Sequence, residues 1–204
     1  MSQNSQPLQP ATSGFKKVKQ IVAVSSCKGG VGKSTTALNI AFSLKEMGYK
    51  VGLFDADVYG PSLPTLLSLE NIDLFQENDL IIPLDYEGLK LMSFGYIPKQ
   101  EGSDAAIMRG PMVTQIITQL LSGTNWGELD YLIIDYPPGT GDIQLTLSQI
   151  ANIAAALIVT TPQQLSFVDV VKGIQMFDKL KVPTLGVIEN MAYYEVNGEK
   201  HYLF

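Results

Sequence analysis

"SSCKGGVGKST", Ser25 to Thr35, decides how this chain is read. A phosphate-binding loop usually runs G-x-x-x-x-G-K-[ST]; here Cys27 stands in the place of the first glycine and Lys28 adds a second lysine beside it. The apolar run from Ile21 reads as a strand, and Ala37, Ile40, Ala41 and Leu44 recur behind the loop at helical spacing. That strand, loop and helix context is what the motif requires. Gly29, Gly30 and Gly32 let backbone N–H groups face phosphate oxygens, and a helix beginning near Ser34 adds its positive dipole end. On this reading Gly29, Gly30, Val31, Gly32, Lys33, Ser34 and Thr35 cradle the phosphates of a nucleotide. Lys33 reaches the β- and γ-phosphates, and the Ser34 hydroxyl fills part of a Mg²⁺ shell.

Two further segments supply the acids such a site needs. "DYLIIDYPPGTGD" places Asp135 at the end of an apolar strand, a Walker B pattern for holding Mg²⁺, and Gly139 in the following turn can offer an N–H to a γ-phosphate. "FDADVYGPS" ends a second strand with Asp55 and Asp57, whose spacing of two puts both carboxylates on one side while the strand persists. One can hold a Mg²⁺ water and the other orient the attacking water; the alternative is a pair of solvated strand-end acids.

The rest of the chain fits the same architecture. Short β-branched or apolar runs begin at 21, 50, 89, 130, 154 and 184, and helical patterns lie between them. One such pattern follows Pro111 and stops at Gly123; another is predicted to start at Ser166, with Asp169 completing a capping-box-like pair. This alternation predicts a doubly wound α/β fold, a mostly parallel sheet flanked by helices with its ligand at the carboxyl ends of the strands. Residues 1–20, polar and without an acid, are expected to be a flexible tail or linker, and 21–204 a single domain. "YYEVNGEKHYLF" reads as a hairpin turning at Asn197-Gly198, and the protein is expected to continue past it with a C-terminal segment. With 204 residues, 46% of them hydrophobic, the chain can build one full core. A formal charge of −6 argues against a general nucleic-acid binder. Apolar runs are far shorter than the roughly 20 residues of a membrane helix. One cysteine, Cys27, and no secretory pattern point to a reducing compartment such as the cytoplasm. The lone His201 reads as a surface residue.

"CKGGVGKST" resembles the deviant Walker A loop of the MinD/ParA/nitrogenase-iron-protein class of P-loop NTPases. "FDADVYGPSLP", "MRGPM", "DYLIIDYPPGTGD", "VTTPQ" and "ENM" together look like its Mrp (ApbC) branch, the ATP-dependent iron–sulfur cluster carriers, including their plastid relatives. The resemblance runs from about Ile21 to the end. It implies a Mg²⁺-dependent ATPase that loads or releases a cluster, a [4Fe-4S] cluster as cargo, a nucleotide-controlled homodimer, and apo iron–sulfur proteins and assembly factors as partners. It also admits a plastid or another organelle as the location. In that class the lysine matching Lys28 reaches across the dimer to the partner's phosphates, so that Lys28, Lys33 and Asp57 form the catalytic set. Asp57 matches the residue that orients water, and Asp55 the one near Mg²⁺. Asn190 of "ENM" matches the adenine-contacting asparagine; by itself it reads as a turn former at a strand end. Arg109 of "MRGPM" lies near the dimer face in this class, and a plain loop arginine is the other reading.

One departure matters. Carriers of the Mrp type often show a C-x-x-C pair soon after "ENM", and here that neighbourhood reads "MAYYEVNGEKHY". Two copies of a chain with one cysteine cannot supply four thiolates. Cys27 is either a ligand or redox thiol favoured by Lys28 and the helix N-terminus, or a small residue that fits a tight loop. A MinD/ParA-like spatial switch is the competing function; it calls for an amphipathic terminal helix or a basic patch, and neither is legible. An electron-donating reductase would need cluster cysteines around the switch segments, where there are none.

Overall fold

The computed structural model describes residues 14–69, 72–97, 110–139 and 141–202. Its centre is a seven-stranded sheet in the order β5-β6-β2-β7-β1-β8-β9. The strands are β1 (Val18–Ser25), β2 (Val51–Asp55), β5 (Leu84–Tyr86), β6 (Leu89–Ser93), β7 (Leu129–Asp135), β8 (Ala155–Thr160) and β9 (Thr184–Glu189). All neighbours run parallel except β5, which returns antiparallel on β6. The six expected strands are all present. Short hairpins lie outside the sheet: β3 (Gln76–Glu77) with β4 (Leu80–Ile81), and β10 (Tyr194–Val196) with β11 (Glu199–His201). The second turns at Asn197 and Gly198, both at positive φ, as an Asn-Gly hairpin does.

Parallel strands buried on both faces read as continuous apolar runs, and here the two faces feed two cores. One face meets α1 (Lys33–Glu46) and α2 (Leu63–Leu67) through Val24, Leu53 and Ile133 against Ala37, Ala41 and Leu63. The other meets α3 (Gly110–Gly123), α4 (Asp142–Ile150) and α5 (Gln164–Lys179) through Ala23, Phe54 and Ile134 against Ile117, Leu147 and Phe177. Ile133 and Ile134, adjacent in sequence, thus serve opposite cores. Among the described residues no helix is long and apolar enough to cross a membrane.

Several expectations are corrected. Strand β1 begins at Val18, not Ile21, and Gly14 already donates its N–H to the Ser122 carbonyl at 2.7 Å, so residues 14–20 belong to the folded body rather than to a tail. Helix α5 begins at Gln164, which puts Ser166 inside the first turn; its buried hydroxyl meets Thr161 Oγ1 at 3.4 Å instead of capping the helix. Asp169 pairs with Lys172 at 3.1 Å. Helix α4 and strand β5 are elements the sequence reading missed. Arg109 lies outside the described residues.

Candidate functional site

Strand order sets the location of the site. The chain leaves β1 toward β2 on one side and later crosses from β7 to β8 on the other, so the crevice of this sheet opens at the carboxyl end of β1. The loop from Ser26 to Gly32 fills it. Gly30 and Gly32 hold φ of 76° and 82°, the left-handed region that glycine enters without strain. Gly32 is the residue before α1, and its carbonyl takes the Thr36 N–H at 2.9 Å. The N-terminus of a 14-residue helix therefore faces the loop.

Register brings the acids together. Asp55 and Asp135 are paired residues at the ends of β2 and β7. Both are 1% exposed. Asp55 is held from several sides: Oδ2 accepts from the N–H of Ser62 at 2.8 Å and of Leu63 at 3.2 Å and from Ser93 Oγ at 3.1 Å, and Oδ1 accepts from the Asp57 N–H at 3.1 Å. Burial and then the neighbouring Asp135 carboxylate nevertheless push its pKa up to about 6. Lys33, itself buried, donates Nζ to Asp135 Oδ1 and to Ser34 Oγ at 3.2 Å, and Ser34 Oγ lies 2.9 Å from Ser62 Oγ. Burial raises the Asp135 carboxyl above the ordinary carboxylate range while the Lys33 ammonium opposes that rise. Asp135 Oδ2 is buried with no hydrogen-bond partner among the described residues. An orphaned carboxylate oxygen beside a serine hydroxyl is an all-oxygen donor set that suits a hard dication such as Mg²⁺.

Asp57 arrives by a different route from the one expected. Strand β2 stops at Asp55, so strand alternation does not align the two acids. Asp57 instead starts a turn whose N–H groups it caps, Tyr59 at 3.2 Å and Gly60 at 3.0 Å, and this turn sets its carboxylate on the wall of a cavity of about 290 Å³ shared with Lys28, Lys33, Ser34 and Pro138. Val31 is buried under the loop and Thr35 lines the same cavity. Gly139, at φ 105°, donates its N–H to the Ser26 carbonyl at 2.9 Å.

Lys28 lies at the exposed rim and donates Nζ to Gln163 Oε1 at 2.7 Å. Asn190 bonds back to the loop, Nδ2 to the Val31 carbonyl at 2.9 Å, and a Cβ on Gly32 would lie 2.3 Å from that nitrogen. Cys27 is half-buried against α5: a Cβ on Gly173 would come within 2.6 Å of its sulfur. Burial raises its thiol pKa, which opposes thiolate formation, so the packing reading describes its surroundings better than the reactive one. His201 is exposed and stacks on Tyr194 at 5.0 Å.

Four residues of the site were missed. Ser62 and Ser93 fix Asp55, and the buried Tyr96 hydroxyl, unpartnered among the described residues, is shifted upward by burial and by the Asp55 charge. Gln144 on α4 donates Nε2 to the Pro137 carbonyl at 3.0 Å and to that of Pro138 at 3.3 Å, bracing the loop that carries Gly139. The only signal for Gln144 was Gly141-Asp142 as a helix start. Among the described residues no cluster of His, Cys, Asp and Glu could hold a metal by protein ligands alone.

Comparison with known proteins matches this architecture throughout. The sequence profile of the NUBPL iron-transfer P-loop NTPases, within ParA, fits residues 17–204. The chain is 54% identical over its whole length to the chloroplastic Fe-S cluster assembly factor HCF101 of Arabidopsis thaliana, of which it covers 39%. It is 47% identical to the iron-sulfur cluster carrier protein of Escherichia coli, with 93% of this chain and 51% of that protein aligned. It thus spans about half, or less, of the curated relatives it matches. A nucleotide-binding protein of Archaeoglobus fulgidus, solved in complex with ADP, superposes with a TM-score of 0.80 at 40% identity, over 93% of this chain and 74% of that one. MinD of Pyrococcus horikoshii, solved with Mg-ADP, shares the fold at 24% identity and a TM-score of 0.63. From its loop, its paired strand-end acids and these likenesses together, the chain belongs to the NUBPL iron-transfer P-loop NTPase family.

Proposed function

We propose that this chain is the nucleotide-driven part of an iron–sulfur cluster carrier: it binds ATP with Mg²⁺, hydrolyses it as a homodimer, and thereby loads or releases a [4Fe-4S] cluster for apo-client proteins. The observation that carries the reading is the buried Lys33 and Asp135 with the half-buried Ser34 beneath a glycine loop, and a second lysine at the rim. The backbone N–H groups of Gly29 to Ser34 bind the phosphates, and Lys33 exchanges Asp135 for the β- and γ-phosphate oxygens. Ser34 and Asp135 would hold Mg²⁺, with Asp55 on its water shell; the ion supplies charge neutralisation at the phosphates. Asp57 orients the attacking water and takes its proton. Lys28 acts in trans where charge develops in the transition state, as an arginine finger does. Asn190, one of whose two amide N–H groups goes to the Val31 carbonyl, keeps the other N–H and its side-chain oxygen to meet adenine. Two sites then complete each other across a dimer.

The cluster is cargo, and its thiolates come from outside Met1–Phe204, since this sequence has one cysteine and the structure packs it under α5. A plastid or the cytoplasm is the location that goes with this reading, and the chloroplastic relative supports the first. Among the described residues nothing favours a positioning switch over this reading.

Two assays test it. Lys33→Ala should lower ATP turnover by at least about 100-fold, and Lys28→Ala and Asp57→Ala should do the same while nucleotide still binds. Wild-type turnover in all three sinks the site assignment. Anaerobic reconstitution of the longest natural form with iron and sulfide, with transfer to an apo-protein followed by absorbance with and without ATP, tests the cargo. No cluster uptake and no transfer ends the carrier reading.

A further inference from the structure

We infer that Gln163 is a positioning residue for Lys28: it holds the second lysine back on its own subunit, and breaking that contact sets how readily two copies pair across their nucleotide sites. This rests on the reading that Lys28 acts in trans.

The contact joins residues 135 positions apart, Lys28 Nζ to Gln163 Oε1 at 2.7 Å, on the exposed rim of the cavity. Gln163 sits immediately before α5 in extended conformation, and its side chain makes no capping bond to that helix. Its backbone carbonyl, not its amide group, takes the Ser166 N–H at 2.9 Å. The side-chain oxygen therefore has one evident task, to receive Lys28. Both ends are held firmly. Cys27, next to Lys28, is seated on Gly173 of the same helix, at an approach too close for any side chain there, so the loop is packed directly on α5 beside the contact. Among the described residues no carboxylate comes within ion-pair distance of Lys28; its acceptor is neutral.

Neutrality is what makes this a latch rather than a lock. An exposed hydrogen bond from an ammonium to an amide oxygen favours the closed arrangement by roughly threefold to fivefold. A lysine that must reach a partner's phosphates has to leave Gln163 first. In a symmetric dimer two lysines leave, so the factor enters twice and the concentration needed for pairing rises on the order of tenfold.

The experiment uses the full 204-residue chain, with ATP turnover measured against protein concentration and sedimentation run with a non-hydrolysable ATP analogue. Gln163→Ala should lower the half-saturating protein concentration on the order of tenfold and leave maximal turnover per dimer unchanged. Gln163→Glu should raise it, because a carboxylate holds the ammonium more tightly, and the rise should shrink at high salt. Opposite shifts from two substitutions at one site are not what a loss of α5 stability would give, and circular dichroism checks the fold of each. Unshifted curves, or shifts in the same direction, overturn the latch. Lys28→Ala separates the two ideas. If it turns over ATP like the wild type, the trans role itself fails. If it is inactive while both Gln163 variants keep the wild-type concentration dependence, only the latch fails.

Discussion

Strands β2 and β9 belong to one parallel sheet, yet every residue of Val51–Asp55 is buried while Thr184–Glu189 alternates between half-buried and exposed. The difference comes from position. Strand β2 has a hydrogen-bonded neighbour on each side and helices over both faces, whereas β9 is the edge and α5 lies against only part of it. Leu185 and Val187 stay exposed on β9, as do Phe167 and Val168 on α5. Groups that must keep one geometry, Asp55, Asp135 and Lys33, are at the over-determined centre. The flank keeps apolar surface and holds the loop through a few specific contacts: Lys28 on Gln163, Cys27 on Gly173 and Asn190 on Val31.

The sharpest way to break this contrast is at Gly32, where centre and flank meet. Alanine there must take a φ of 82° and put a Cβ 2.3 Å from the Asn190 amide. The conformation alone costs about 1–2 kcal/mol, and the clash displaces either the loop or Asn190. ADP affinity measured by calorimetry should fall at least about 100-fold; retained affinity would mean that the loop tolerates what the geometry forbids.

Asp55 tests the centre by pH. Its folded pKa of about 6 lies above the ordinary carboxylate value of 3.8, so the folded state holds the proton more tightly than the unfolded chain. The unfolding free energy should therefore fall as pH rises from about 4 to 6, by on the order of 2 kcal/mol from this group, and stay down above that range. Urea unfolding of the nucleotide- and metal-free protein at pH 4.5 and 6.5 measures it, and Asp55→Asn should lose that slope. Equal slopes in both proteins would remove Asp55 as the source.

The smallest effect belongs to the flank. Gly173→Ala gains helix propensity of up to about 1 kcal/mol but drives a methyl into Cys27, for a net loss of about 1–2 kcal/mol. Adding Cys27→Ala should restore most of it. Failure of that rescue would show that something other than the sulfur fixes the glycine.

The centre was the legible part. Six apolar runs, a glycine loop and acids at two strand ends are local signals, and β-strand register then brings Asp55 beside Asp135 without further information. What was missed depends on partners distant in sequence. Ser93 and Gln144 look like ordinary polar residues until β6 and α4 carry them to Asp55 and to the prolyl carbonyls. "GDIQLTLSQI" hid its helix because threonine, serine and glutamine interrupt the apolar spacing, although Ser148 and Gln144 are buried there through hydrogen bonds. Ser166 misled for the opposite reason: its local pattern was that of a cap, and tertiary packing placed the helix start two residues earlier. For Cys27 its place under the bound phosphates already favours the small-residue reading, and Gly173 shows what the sulfur packs against.

The amide of Gly139 is already satisfied, by the Ser26 carbonyl at the end of the central strand. Whatever draws that amide away must replace a neutral acceptor, and an anionic oxygen does so at a profit because charged hydrogen bonds are roughly twice as strong. The loop therefore need not pass through an unbonded state to respond. If an anionic oxygen takes that amide, the exchange frees the Ser26 carbonyl, which then needs a partner of its own.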